Sequence, residues 1–378
     1  MTKLTSYQSS GASSPQPSII SFQQIEEFLI KLLSSPEQVT RLLRSQARAY
    51  KLLATTPSKC SNLPIQTIGQ PPNPPLESPT AQMCIKTGYV DGDSIIVSKV
   101  AGGGGTNNAP NTGCVMVYSQ QTLKLKCILC DEGLLTEVRT AAAGALVTQM
   151  AVLEAGGPQL LNKIGVVGGG VQAVWQLRLL MACGVLNPRK MKVVIKTRSS
   201  DSAVKFIELM RDSTYEPDRD IQFELFDESK DKRFKDCQVI YTVTPARECV
   251  LSEEDISVPR GCENQPFLHI TSIGSDSPGK MEVSPDILDM ADKCYVDLIS
   301  QSQERGEFQS SRWEKHTRGS SSSPPLINIG TLELMKVNAV APGEGEGLFT
   351  VFDSSGLALQ DVEMAKVVFE GISLSAYS

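Results

Sequence analysis

The chain has 378 residues, 40% hydrophobic and 21% charged, a balance that supports sizeable cores and excludes a mostly disordered chain. Its 36 basic and 42 acidic residues leave a net charge of −6, so no broad cationic face is expected and nucleic acid is not the main partner. The longest apolar runs, such as residues 141–147, fall far short of the roughly 20 residues that a membrane span needs.

Residues 1–19, rich in Ser, Thr, Gln and Pro, read as a flexible tail. They carry neither a secretory apolar region nor an Arg-rich amphipathic pattern, which points to the cytosol. Ile25, Phe28, Leu29, Leu32 and Leu33 fall near helical spacing and predict one amphipathic helix over 21–53. The Pro-rich stretch 71–79 breaks regular structure. From 83 to 129 the pattern is strand-like, over 94–100, 114–118 and 123–129, as antiparallel strands joined by loops. Thr136 is expected to cap the next helix, with Glu137 in its first turn. From Lys163 strands over 164–167, 191–197, 221–226, 239–244 and 267–274 alternate with helices such as 171–183 and 201–211. That rhythm predicts a parallel sheet interleaved with helices. The Ser-rich stretch 320–323 reads as a surface loop, and 348–374 as a strand followed by a helix. Ten cysteines are scattered, several in apolar runs, and read as buried thiols of a reducing compartment. Cys127 and Cys130 form one Cys-x-x-Cys, but there is no second pair. His269 and His316 lie far away in sequence, so no metal site is expected.

The segment Gly168-Gly169-Gly170-Val171-Gln172-Ala173 follows an apolar strand and opens a helix. It has the form Gly-x-Gly-x-x-Ala. Gly168 permits the tight turn, Gly170 lets the backbone approach a pyrophosphate, and Ala173 allows close helix–strand packing, while the helix N-terminus favours the phosphate charge. The second strand ends Lys196-Thr197-Arg198-Ser199, without the acid that would bind an NAD ribose, and Arg198 suits a 2′-phosphate. The cofactor is therefore NAD or NADP, with NADP favoured. Thr197 and Thr244, which close two predicted strands, are assigned to it as well.

Several segments together resemble the ornithine cyclodeaminase and mu-crystallin family. They are the turn above, Thr136-Glu-Val-Arg139-Thr-Ala-Ala, Ile273-Gly-Ser-Asp276-Ser-Pro-Gly-Lys-Met-Glu282, Tyr295-Val-Asp297 and Phe352-Asp-Ser-Ser-Gly356-Leu-Ala-Leu-Gln-Asp361. The resemblance implies an α/β protein: a Rossmann-type doubly wound parallel sheet over 151–344, and an α+β substrate-binding and dimerisation domain over 20–150 and 345–378. It further implies a homodimer and a small amino-acid or cyclic imino-acid substrate.

By the same resemblance Arg139 and Lys99 bind the substrate carboxylate, and Asp276 is the catalytic acid/base, with Glu282 supporting its loop. Taken alone, Arg139 reads as readily as a surface ion-pair partner, Lys99 as a solvent-facing strand lysine, and Asp276 as a turn cap. Where the family often carries an Arg, this chain reads Pro64-Ile65-Gln66-Thr67, which leaves Gln66 as an uncharged substrate contact. The glycine run 102–105 after Lys99 is either a close-approach loop or a flexible one. Two reactions follow: conversion of L-ornithine to L-proline with loss of ammonia, or reduction of a ketimine such as Δ1-pyrroline-2-carboxylate (or amino-acid dehydrogenation). A binding protein without turnover is the third reading.

Overall fold

The computed structural model describes residues 16–69, 81–104, 112–183, 191–212, 221–227, 234–259, 265–309, 324–332 and 347–375. The predictions for 71–79 and 320–323 lie outside these. Among the described residues no helix is long and apolar enough to cross a membrane.

The N-terminal segment holds two helices rather than one, α1 (Phe22–Leu33) and α2 (Pro36–Thr55). Ser35 caps α2 by accepting from Gln38 N, and Pro36 occupies its first turn, where its missing N–H costs nothing but breaks continuity with α1. Ser21 caps α1 in a reciprocal box with Gln24. The tail predicted over 1–19 lies outside the described residues up to residue 15, and its end is not a tail. Ser18–Ile20 forms β1, parallel to 127–129 of β7.

The first sheet has the order β1-β7-β6-β5-β4-β2, with β3 also paired to β4. Its members are β2 (Cys60–Asn62), β3 (Gln66–Ile68), β4 (Ala81–Val90), β5 (Ile95–Gly104), β6 (Thr112–Ser119) and β7 (Leu125–Leu129). Apart from β1, its pairings are antiparallel. Side chains alternate between faces. Lys86, Val90, Val97, Lys99, Val115, Val117, Cys127 and Leu129 are buried, whereas Ile96, Val100, Met116, Tyr118 and Ile128 on the other face remain partly exposed.

The second sheet is parallel throughout, in the order β10-β9-β8-β11-β12-β15-β13-β14. It contains β8 (Lys163–Val167), β9 (Met191–Lys196), β10 (Ile221–Leu225), β11 (Val239–Thr242), β12 (Phe267–Ser272), β13 (Lys293–Val296), β14 (Leu326–Asn328) and β15 (Leu348–Asp353). Between β8 and β11 the strand order reverses, the switch point where open α/β sheets bind ligands beyond their strand ends. β15 lies between β12 and β13, so the chain after residue 345 first completes this sheet. Only α8 (Ala358–Ser375) returns to pack against β4, β5 and α2.

Helix α3 (Leu134–Glu154) joins the two halves and is buried along almost its whole length. It packs on α4 (Val171–Ala182) and β12 as well as on α2 and α8. At Gly144 a Cβ would stand 2.1 Å from Gln176 Oε1, so a side chain there would displace the buried Gln176 amide at the α3–α4 crossing. One continuous core runs from β1 and α1 through α3 to β8, β9 and α8.

Candidate active site

The glycine turn over 168–170 is tight at its start. Gly168 sits at φ +105, where a Cβ would come within 2.9 Å of Val243 O; it donates to Lys196 O at 2.9 Å. A Cβ on Gly169 would meet Thr197 Cγ2 at 2.9 Å. Gly170 differs, because nothing lies within 4 Å of its Cβ position. It caps α4 without any side chain accepting from the first turn, so free N–H groups face open space. That cradle fits a nucleotide diphosphate. Ala173 is buried and Val171 exposed.

Other residues assigned to the cofactor lie differently. The Gln172 amide turns to α3, where Nε2 donates to Glu137 O at 3.1 Å; it ties two helices together. Thr197 donates to Ser199 O at 2.7 Å. Lys196 is committed to Asp255 Oδ2 at 3.2 Å and Val250 O at 3.1 Å, which leaves the exposed Arg198 as the cation at the strand end.

Arg139 and Lys99 come together, although 40 residues separate them in the numbering. Asp361 joins them: its Oδ1 lies 2.8 Å from Lys99 Nζ and 3.3 Å from Arg139 Nε. The α3 start explains the placement of Arg139. The helix begins at Leu134, with Gly133 as cap at φ +90 and Asp131 Oδ2 accepting from Leu135 N at 3.1 Å. Thr136 is therefore inside the first turn rather than the cap, and Arg139 is in the second turn. Gln360 steadies the guanidinium. Its Oε1 accepts from Arg139 Nη1 at 3.2 Å, and its Nε2 donates to Tyr50 Oη at 2.8 Å. Gly356 closes the other side at φ +78, where a Cβ would strike Arg139 Nη1 at 2.6 Å. That turn is held by Asp297 Oδ2, which accepts from Gly356 N at 2.7 Å.

Lys86 is a member of this cluster that the sequence reading missed. Register places it directly opposite Lys99, and both are buried, at 9% and 3% exposure. A signal was present: Lys86 shares the inward parity of Val90 on β4. Asp361 was legible only as part of a motif. Burial pushes its carboxyl up, but Lys99, Arg139 and Lys86 together hold it below the usual range. Burial, Arg139 and Lys99 lower the Lys86 ammonium to about 7, against the opposing pull of Asp361 and Asp276.

Gln66 is not part of the cluster. It pairs with Ile85, on the sheet face opposite to Lys86, and it is exposed.

Asp276 occupies the loop beyond β12. Its side chain is 55% exposed and its Oδ1 accepts from Lys280 Nζ at 2.7 Å. The loop is fixed from beneath by buried Glu282, whose carboxylate accepts from Thr242 Oγ1 at 3.0 Å, Thr244 Oγ1 at 2.7 Å, Ser272 Oγ at 3.3 Å and Gly274 N at 2.6 Å, and from Thr244 N. Thr244 is thereby locked at the end of β11, beside Gly168. Glu282 is structural, as expected.

The chain is similar to several known proteins. Alanine dehydrogenase of Archaeoglobus fulgidus is 27% identical over 270 residues, 69% of this chain and 71% of that protein. Iminosuccinate reductase of Paracoccus denitrificans is 25% identical, over 75% of this chain and 79% of its own. The fold matches the structure of Thermococcus litoralis Δ1-pyrroline-2-carboxylate reductase in complex with NADH and L-proline, with TM-score 0.71 and 20% identity, over 95% of this chain and 98% of that one. The family model for the ornithine cyclodeaminase/mu-crystallin family matches residues 104–375. The chain belongs to the ornithine cyclodeaminase/mu-crystallin family, whose members are NAD-dependent enzymes.

Proposed function

We propose that this protein is a nicotinamide-dependent oxidoreductase that interconverts an α-imino acid and its amino acid, with a cyclic ketimine of the Δ1-pyrroline-2-carboxylate type as substrate. The observation that carries this reading is the charge of the buried cluster. Lys86, Lys99 and Arg139 gather around Asp361, with buried Asp131 and Asp297 acting on Lys99 and Arg139, and their clustered donors suit a substrate carboxylate. Lys99 and Arg139 hold the carboxylate, and Asp276 exchanges the proton on the substrate nitrogen. Gly168, Gly169 and Gly170 with the α4 N-terminus would hold the cofactor diphosphate, Thr197 and Thr244 line its way in, and the bound nicotinamide supplies or accepts hydride. The case for NADP over NAD rests on Arg198 alone, and Arg198→Ala is expected to weaken NADPH more than NADH.

The cyclodeaminase, the first of the two readings from the sequence, is placed second here. It is favoured by the half-exposed carboxylate of Asp276, which can accept a proton from a substrate amine. A homodimer is proposed through the outer face of the first sheet, where Ile96, Val100, Met116, Tyr118 and Ile128 are only partly buried among the described residues. In this reading the substrate unit comprises the first sheet with α1, α2 and α8, and the cofactor unit the parallel sheet including β15. Initial rates with Δ1-pyrroline-2-carboxylate and NADPH or NADH, followed by nicotinamide absorbance, test the proposal. Substrate-dependent oxidation of the nicotinamide is expected, and its absence with both cofactors would remove the reductase.

A further inference from the structure

Lys86 is the buried charge to which the proposed mechanism gives no task. Its ammonium has three donors, yet its hydrogen bond among the described residues is a long one, to Gly356 O at 3.4 Å. Lys99, by contrast, is held by Asp361 at 2.8 Å, and Arg139 is shared between Asp361 and Gln360. Like charges directly opposite on neighbouring strands destabilise a sheet, and a buried ammonium without its own carboxylate costs more still. Lys86 is thus the cation of the cluster with donors to spare.

Its surroundings define what it can take. Lys99 faces it from β5, Arg139 from α3, Asp361 and the Gly356 carbonyl from the start of α8, and Asp276 from the loop beyond β12. Asp361 stands beside all three cations, and buried Asp131 and Asp297 act on Lys99 and Arg139, yet among the described residues no carboxylate hydrogen-bonds to Lys86, which leaves its donors for an arriving anion. Gln66, which stands where the family often carries an Arg, is uncharged and lies on the other face of the sheet.

Resting on the carboxylate-binding reading above, we infer that Lys86 determines specificity at that site: it donates to the substrate carboxylate beside Lys99 and Arg139, and takes up a proton from solvent as the carboxylate enters. An arriving anion stabilises the charged form of Lys86, which in the empty site is held at about 7 rather than 10.5. The sign follows from linkage. Well below pH 7 the ammonium is already charged and binding takes up little or no proton. Above it, binding draws a proton in, and affinity falls as pH rises.

Calorimetric titration of the NADH-saturated protein with pyrrole-2-carboxylate, a stable planar carboxylate, tests this at pH 7.5 in phosphate and in Tris. The dependence of the observed heat on buffer ionisation enthalpy reads the proton count. Net proton uptake is expected at pH 7.5, and less of it at pH 6. Lys86→Met is expected to bind at least about tenfold more weakly without uptake, and Arg139→Ala to lose binding. Wild-type binding without proton uptake at pH 7.5, or Lys86→Met with unchanged affinity and uptake, overturns the role of Lys86 while the loss in Arg139→Ala upholds the carboxylate site. No binding to the wild type, or undiminished binding to Arg139→Ala, refutes the carboxylate reading itself.

Discussion

Gly170 and Gly356 show how two glycines serve different ends. Open space around Gly170 means that its side chain is missing for a ligand rather than for the protein. Gly170→Val is therefore expected to leave the melting temperature within about 2 °C of wild type, while nucleotide affinity, read by quenching of tryptophan fluorescence, falls at least about tenfold. Normal cofactor affinity would refute the placement of the pyrophosphate. Gly356 is missing its side chain for Arg139. Gly356→Ala places an L-residue at φ +78 against the guanidinium and should cost about 1–2 kcal/mol in urea unfolding, with a raised KM. Arg139→Ala should raise KM roughly 10- to 100-fold with nucleotide binding preserved; an unchanged KM would take Arg139 out of the site.

Among the elements, the loop beyond β12 depends on one buried side chain. Glu282 accepts from residues in β11, β12 and the segments that follow them. Its replacement by Ala leaves those donors unsatisfied and should destabilise by at least roughly 3 kcal/mol, with Glu282→Gln losing less because one oxygen remains. Equal melting temperatures for both variants and wild type would show that the loop is held otherwise. The parallel sheet and its glycine turn were legible in the sequence because hydrophobic periodicity and a strand–turn–helix motif are local signals. Pro36 at the start of α2 and the Gly133 cap were also local, yet the continuous apolar spacing over 21–53 and the Thr136-Glu pair masked them. The insertion of β15 between β12 and β13, and the meeting of Lys86 with Lys99 and Asp361, depend on register between distant segments, which spacing along the chain does not encode. Gln66 shows the same limit: a family position fixed its neighbourhood, but strand parity turned its side chain away.

Across the whole molecule, four carboxyls, Glu282, Asp297, Glu307 and Asp353, are buried near the ends of β12, β13 and β15, and burial pushes each upward, Asp353 to about 8. A carboxyl whose pKa is higher folded than unfolded stabilises in its protonated form. Its contribution is complete below the unfolded value near about 4 and is lost as pH rises through about 8. Asp353→Asn should therefore gain in melting temperature relative to wild type as pH rises from 4 to 8, and a difference that stays constant with pH would contradict the assignment. The catalytic account rests on direct hydride transfer to a carbon whose carboxylate is held by Lys99 and Arg139. Proton NMR of product formed from Δ1-pyrroline-2-carboxylate with nicotinamide deuterated at C4 tests it most directly. Proline carrying deuterium at Cα, with one oxidised nicotinamide per proline, is the predicted result. No deuterated proline from either cofactor, together with proline formed from L-ornithine on catalytic NAD+, would contradict it and establish the cyclodeaminase.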